Sequence, residues 1–452
     1  MEDPLSQHLI PHSPMVPVNP MTMRYEFAFG GFSPSEYTSW MDESLSWKEA
    51  CYIGDWSFLT KIRTTGPDAL KFFSDSSINS FAKFAIGQAK HCVMCNEDGK
   101  VMAEGVLMRN GEEDFLYTGG PNLIWAQYLL DRGGYNAKAE EIGAGHFAFQ
   151  VSGPKALFAM EKVTGEDLRD IKFMRFREAT IADRPVQMLR QGMAGELGYE
   201  VHGAAEDALA VYEAVFAAGQ EFGMRRLGVR AFGVNHVEAC FATTGIDYAA
   251  AMFGEREQEF LKDWVMPNAP GYAFMAQAFR GSFSDNDVSA MYRSPVELGW
   301  AKSVKPDHDF IGRDALAKEL ADPPRKIVTL EWNGEDVLDI YGALFRDGDV
   351  YELPEMPRAF SGIVADLVTG PDGTSGVSTS ACYSVFFRKM LSLCVIDTPS
   401  SEPGTEVTVR WGDPGGPQKD IRAVVAPAPY KQDNRRVDVS ALTQGTKKEP
   451  TT

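Results

Sequence analysis

Apolar and polar positions along the chain follow two rhythms. From residue 45 to about 320, short runs of period two are interleaved with runs of helical period. Gly66-Pro67-Asp68 opens one helical run: Pro67 suits a first turn, and Leu70, Phe72 and Phe73 supply an apolar stripe. Gly153-Pro154-Lys155 opens another in the same way, ahead of Ala156-Leu157-Phe158-Ala159-Met160. Each follows a strand-like run, residues 61–64 and 147–151, so strand, Gly-Pro turn and helix are echoed within the chain. A further helix is predicted from Glu206 to about Phe222, with Ala208, Leu209, Val211, Tyr212 and Val215 at helical spacing. Residues 101–108 and 115–118 flank Asn110-Gly111-Glu112-Glu113, which reads as a hairpin.

This mixture predicts an α+β fold. After Asp322-Pro323-Pro324-Arg325 the texture changes to alternating strands at 326–332, 391–396 and 406–411, separated by Gly-Asp and Asp-Gly turns. The expected layout is an arm over 1–30, a domain of two related α+β subdomains over 31–325, an all-β domain over 326–430, and a mobile polar tail over 431–452.

Composition narrows the choice of partner. The 452 residues are 44% hydrophobic and 24% charged, enough to build more than one core. Formal net charge is −19 and basic residues nowhere cluster beyond pairs, which argues against nucleic acid and anionic membranes. No apolar run has the length of a membrane span. The first 23 residues carry Pro11, Pro14, Pro17 and Pro20 but neither a basic start nor an apolar centre, so a cytoplasmic protein is expected. Its six cysteines then read as reduced thiols. Cys92 and Cys95 form a lone CxxC beside His91, in a segment that alternates like a strand; it reads as structural, and no metal is expected.

Asp55-Trp56-Ser57-Phe58-Leu59, Gly66-Pro67-Asp68-Ala69, Gly99 to Glu104, Gly195 to Glu200 and His236 to Cys240, in that order along the chain, together resemble segments of the aminomethyltransferase (T protein) of the glycine cleavage system and its folate-dependent demethylase relatives. Asp55-Trp56-Ser57-Phe58-Leu59 and Gly66-Pro67-Asp68-Ala69 are similar to that family's Asp-Leu-Ser-His-Met and Gly-Pro-Asp-Ala. Gly99 to Glu104 resembles Gly-Gly-Ile-Leu-Asp-Asp, and Gly195 to Glu200 matches Gly-Glu-x-Gly-Phe/Tyr-Glu. His236 to Cys240 with Gly245-Ile246-Asp247 resembles Arg-Leu-Glu-Ala-Gly with Gly-x-Asp. Pro295 to Trp300 and Asp309 to Leu316 resemble the run that ends the folate domain. The matches lie in register over residues 50 to 425, and the long chain looks closest to the branch that demethylates vanillate- and syringate-type methoxybenzoates.

The resemblance implies a multi-part folate-binding fold with a C-terminal β-barrel, and transfer of a methyl group from a small aromatic methyl ether to tetrahydrofolate. It places the chain in one-carbon metabolism and the catabolism of aromatic compounds. Glu200 aligns with the glutamate that grips the pterin, whose adjacent N–H donors suit a fixed carboxylate. Gln150, Val151, Met193 and Phe241 are expected along the folate channel. Glu104 takes the place of the family's second acidic residue, near the nitrogen that becomes cationic. Asp55, Ser57, His236 and Tyr248 are the candidates to help the leaving phenolate, and Trp56, Ser57, Phe58 and Phe232 to face the methyl donor. Asp55 reads equally as a turn cap, Tyr248 as packing, and His236 as a satisfied structural histidine.

The departures from the pattern keep other donors open. Phe58 stands where the family has His, and no Arg lies near Gly119-Gly120-Pro121-Asn122 to meet a benzoate carboxylate. The aromatics then suit either a hydrophobic aryl ether or, by cation–π contact, a sulfonium or quaternary ammonium donor. A glycine-cleavage aminomethyltransferase and a non-catalytic folate-binding module are the remaining alternatives.

Overall fold

The computed structural model describes residues 24–28, 31–269, 279–283, 287–356 and 362–444. The expected 1–30 arm therefore lies almost wholly outside the described residues. The chain forms two compact units. One is drawn from Met1–Phe58, Gly143–Asn235 and Gln432–Thr452, the other from Leu59–Ile142 and His236–Lys431.

The first unit is built on a six-stranded sheet. Its order is Phe176–Ile181, Arg184–Leu189, Gly198–Ala204, His146–Ser152, Tyr52–Asp55 and Arg225–Arg226, antiparallel except for the last strand. Helices Ala156–Thr164 and Ala208–Gly219 share a buried core with one face of it, through Val151, Met188, Tyr199 and Val201. Strand alternation turns the intervening residues, Gln150, Glu200 and His202, to the other face.

In the second unit a five-stranded sheet runs Gln88–Cys95, Val101–Arg109, Asp114–Gly119, Thr60–Thr65, Lys138–Glu141. Its 101–109 and 114–119 strands form the expected hairpin. The internal echo is physical as well. Gly66 and Gly153 have φ of +127° and +137°, and at each a Cβ would fall 2.6 Å from a carbonyl oxygen, of Asn136 and of Ala50. Only glycine fits either turn.

The same unit contains the closed six-stranded barrel, in the order Arg325–Trp332, Lys389–Asp397, Ser375–Ser384, Asp366–Thr369, Glu406–Trp411, Lys419–Ala426. Two expectations are corrected here. The region is not purely β: helix Gly334–Ala343 follows the first strand, capped by the Asn333 side chain accepting from the N–H groups of Glu335 and Asp336. Val337 and Ile340 pack it into the barrel core. Nor is the whole of 431–452 a mobile tail. Val439 is buried in the first unit's core, and Arg169 Nη1 donates to the carbonyls of Val439 and Leu442, both at 2.9 Å. The polar composition of the segment hid three apolar side chains, Val437, Val439 and Leu442, spaced to reach that core.

Candidate functional site

The Gly195–Glu200 run is wholly buried, although it holds two carboxylates. Each acid has a reason to be there. Glu196 Oε1 accepts from Asn434 Nδ2 at 2.8 Å, and Asn434 N–H donates to the Gly195 carbonyl at 2.8 Å. Glu200 sits mid-strand, opposite Gln150 on the neighbouring strand and 9% exposed. Gln150 is fully buried and donates through Nε2 to the carbonyls of Gln191 (2.9 Å) and Tyr199 (3.1 Å). Its Oε1 is left without a hydrogen-bond partner among the described residues, as is Oε1 of Gln191. Buried acceptors without donors are costly unless a ligand brings the donors. Gln191 was not singled out from sequence; its place just ahead of the glycine motif is the only signal that marks it.

On the same sheet face, Trp56 stacks on Phe232 (centroids 4.5 Å, 27° between planes) and on Tyr52 (6.2 Å, 23°), and Phe58 stacks on Phe232 (6.4 Å, 24°). The indole lies over Gly54, where a Cβ would fall 1.9 Å from a ring carbon. The structure thus brings Trp56, Phe58 and Phe232 together. Trp56 and Phe232 are 3% and 2% exposed, so the two rings chiefly cover each other, and Phe58, half-buried, is the accessible end of the stack.

Four other expected residues do different work. Val151 points into the core beneath the helices, one strand position out of phase with Gln150, so its side chain lines no channel. Asp55 is likewise on the Ile53 face of its strand, and its Oδ1 accepts from Ser57 N–H at 2.9 Å, a turn cap. Ser57 Oγ accepts from Ala148 N–H at 3.1 Å and ties the turn to the next strand. Met193, nearly buried, receives Gln191 Nε2 on its sulfur at 3.6 Å.

A second constellation lies in the other unit. Glu104 Oε2 is 2.9 Å from His91 Nε2, and the His91 ring stands edge-on to Trp300 at 4.8 Å. Trp300 in turn meets Tyr248 edge-to-face at 6.2 Å. His91 was read only as a neighbour of the CxxC; strand register puts it on the Glu104 face. Cys92 and Cys95 themselves point to opposite faces and enter different cores. Tyr248 is fully buried, and burial holds its phenol well above its ordinary pKa.

Burial pushes the pKa of His236 down to about 4, which favours the neutral ring at physiological pH. Its Nδ1 is 3.3 Å from Thr243 Oγ1, and Phe241, half-buried, leans on its ring at 5.3 Å. Asp247, at the end of the Gly-x-Asp turn, is structural: it accepts from Thr379 Oγ1 (2.7 Å), Ser380 Oγ and Thr243 N–H (2.8 Å), pinning the turn to a bulged barrel strand.

Residues 14–252 match the GCVT N-terminal domain model. The chain belongs to that family. Relatives extend over nearly its whole length. A sesamin methylene transferase from Sinomonas sp. (strain No.22) is 37% identical, covering 91% of this chain and 94% of its own. A syringate O-demethylase from Sphingobium sp. (strain NBRC 103272 / SYK-6) is 33% identical, covering 88% and 89%. An aminomethyltransferase of Bacillus cytotoxicus (strain DSM 22905 / CIP 110041 / 391-98 / NVH 391-98) is 25% identical, covering 89% and 93%. In fold, the chain matches the glycine cleavage aminomethyltransferase T from Bartonella henselae, with a TM-score of 0.67 at 17% identity over 92% of this chain and 96% of that one.

Membership makes the chain an enzyme of one-carbon transfer with tetrahydrofolate as cofactor. The residues fit that molecule. A pterin edge offers adjacent N–H donors, and the Glu200 carboxylate beside the unsatisfied Gln150 oxygen is an acceptor set of matching sign. No group of three or more metal-ligating side chains occurs among the described residues, nor is any described helix long and apolar enough to cross a membrane.

Proposed function

We propose that this chain is a tetrahydrofolate-dependent O-demethylase, taking the methyl group of a small aromatic methyl ether and releasing a phenol. The carrying observation is the buried acceptor pair, Glu200 and Gln150, in a chain 33% identical over most of its length to a syringate O-demethylase.

Tetrahydrofolate, when bound, would supply the N5 nucleophile that accepts the methyl group. Glu200 holds the pterin by charge-assisted hydrogen bonds. Gln150 commits both amide hydrogens to backbone carbonyls, which leaves only its oxygen to face the ligand. Met193 adds apolar contact. Phe58, backed by Phe232 and Trp56, offers a flat wall for an aryl ring. Fixing both partners in line lowers the barrier by several kcal/mol, of order 7–11 in the best intramolecular cases.

In the other unit, Glu104, held by His91, carries charge of the sign that a nitrogen becoming cationic needs. Tyr248, in that same unit, keeps its proton and is a hydrogen-bond donor of the kind a phenolate oxygen needs. The identity to a sesamin methylene transferase supports a second reading, in which a bridged aryl ether gives up a methylene group instead.

The experiment is a panel of methoxyaromatics, methylene-bridged aryl ethers and methylsulfonium compounds, incubated with tetrahydrofolate and no carrier protein, with the folate product identified. Formation of 5-methyltetrahydrofolate from a methoxyaromatic is expected. Formation of 5,10-methylenetetrahydrofolate would assign the second reading, a sulfonium donor would restore the cation–π alternative, and no product from any aryl ether would sink both ether readings.

A further inference from the structure

We propose that His202 is a positioning residue for Glu200, and that His146 sets which nitrogen of His202 carries the proton. The proposal rests on the reading of Glu200 as the pterin anchor. His202 Nε2 lies 3.3 Å from Glu200 Oε2, and His146 Nε2 lies 3.3 Å from His202 Nδ1. The three side chains form a line across one sheet face. His202 is two residues beyond Glu200 on the same strand, and its partner on the next strand is Ala148, whose short side chain leaves the imidazole room. His202 is 1% exposed and Glu200 9%, while His146 is half-buried.

The polarity of the line follows from the inventory of donors. A carboxylate only accepts, so His202 Nε2 carries the hydrogen. In the neutral ring Nδ1 is then a bare acceptor, and His146 Nε2–H donates to it. The opposite tautomer of His202 would turn a lone pair against an anion inside the protein, where such a contact is costly. One carboxylate oxygen of Glu200 is thereby tied down within the protein, its rotation is stopped, and the other oxygen is presented to the ligand. This is the support that metal-binding and catalytic carboxylates receive from a hydrogen-bonded neighbour. The Gly195–Glu200 motif ends two residues short of His202, so the motif itself does not announce it.

The test is equilibrium binding of tetrahydrofolate, with steady-state kinetics, on the full chain. His202→Leu should weaken tetrahydrofolate about tenfold and raise its KM, with kcat at saturating folate changed much less, as expected for losing one hydrogen bond to a charged group. His202→Gln keeps an N–H donor and should stay within about threefold of the wild type. His146→Leu, at a half-buried position, should lose roughly threefold. Unchanged affinity in His202→Leu, or an equal loss in His202→Gln and His202→Leu, overturns the positioning role. Unchanged affinity in His146→Leu overturns the tautomer control. Glu200→Ala separates the two levels. If it weakens binding while His202→Leu does not, only the positioning role falls; if it has no effect, the anchor reading falls and the positioning role with it.

Discussion

At the scale of single residues, two positions convert geometry into measurable energies. Gly54 lies beneath the Trp56 indole, where a Cβ would sit 1.9 Å from the ring. Gly54→Ala must push the indole off Phe232, and overpacking of this kind costs about 1–3 kcal/mol. Urea unfolding should show that loss, together with a raised KM for the aryl substrate and unaltered tetrahydrofolate affinity. Wild-type stability in this variant would mean that the stack is loose and not a wall. His236 has its pKa pushed down from 6.5 to about 4 by burial. A depressed folded-state pKa contributes stability that is complete above pH 6.5 and is lost as pH falls through about 4. Replacing His236 with Leu should therefore flatten the stability curve between pH 6.5 and 4 by about 3 kcal/mol. An unchanged slope would show that the imidazole is solvated. What could be read at this scale from sequence was residue type: a glutamate, a glutamine and a row of aromatics at motif positions. Which face each one occupies could not be read, and that is why Val151 and Gln150, adjacent in the chain, part company.

At the scale of elements, the C-terminal segment is the main surprise. Asn434 bonds the Gly195 carbonyl and the Glu196 carboxylate, Arg190 Nη2 donates to the Val437 carbonyl, and Arg169 bonds the carbonyls of Val439 and Leu442. The glycine-rich motif is thus held from behind by a strap remote in sequence. Deleting residues 432–452 should cost about 3 kcal/mol or more, since several part-buried hydrogen bonds at about 1 kcal/mol each are lost with the burial of Val439. Calorimetry would measure this, and tetrahydrofolate affinity should drop in parallel because the loop before Glu200 loses its backing. A truncated chain with native stability and affinity would reduce the strap to decoration. The strands and helices themselves were largely legible, because period-two and period-3.6 patterns follow directly from local geometry. The helix Gly334–Ala343 was missed because its surroundings alternate so clearly as strands.

For the whole molecule, ligand and fold are linked. A ligand that binds only the folded state stabilises it by RT ln(1 + [L]/Kd), about 2.7 kcal/mol at a hundredfold excess over Kd. Tetrahydrofolate should therefore raise the thermal midpoint of the wild-type chain, and should do so much less for Glu200→Ala, because an unpaired buried donor pair costs a few kcal/mol. Equal shifts in both proteins would remove Glu200 from the folate site.

The sequence by itself determined the α+β class, the barrel, the repeated Gly-Pro turn and the family, because these depend on local periodicity, on turns that only glycine permits, and on motifs that keep their spacing. Only the tertiary structure decided which residues work together. His202 and His146, His91 and Glu104, and Asn434 and Glu196 are 56, 13 and 238 positions apart, and each pair is made by strand register or by the return of the chain. A hydrogen bond depends on distance through space, and no pattern along a chain records it.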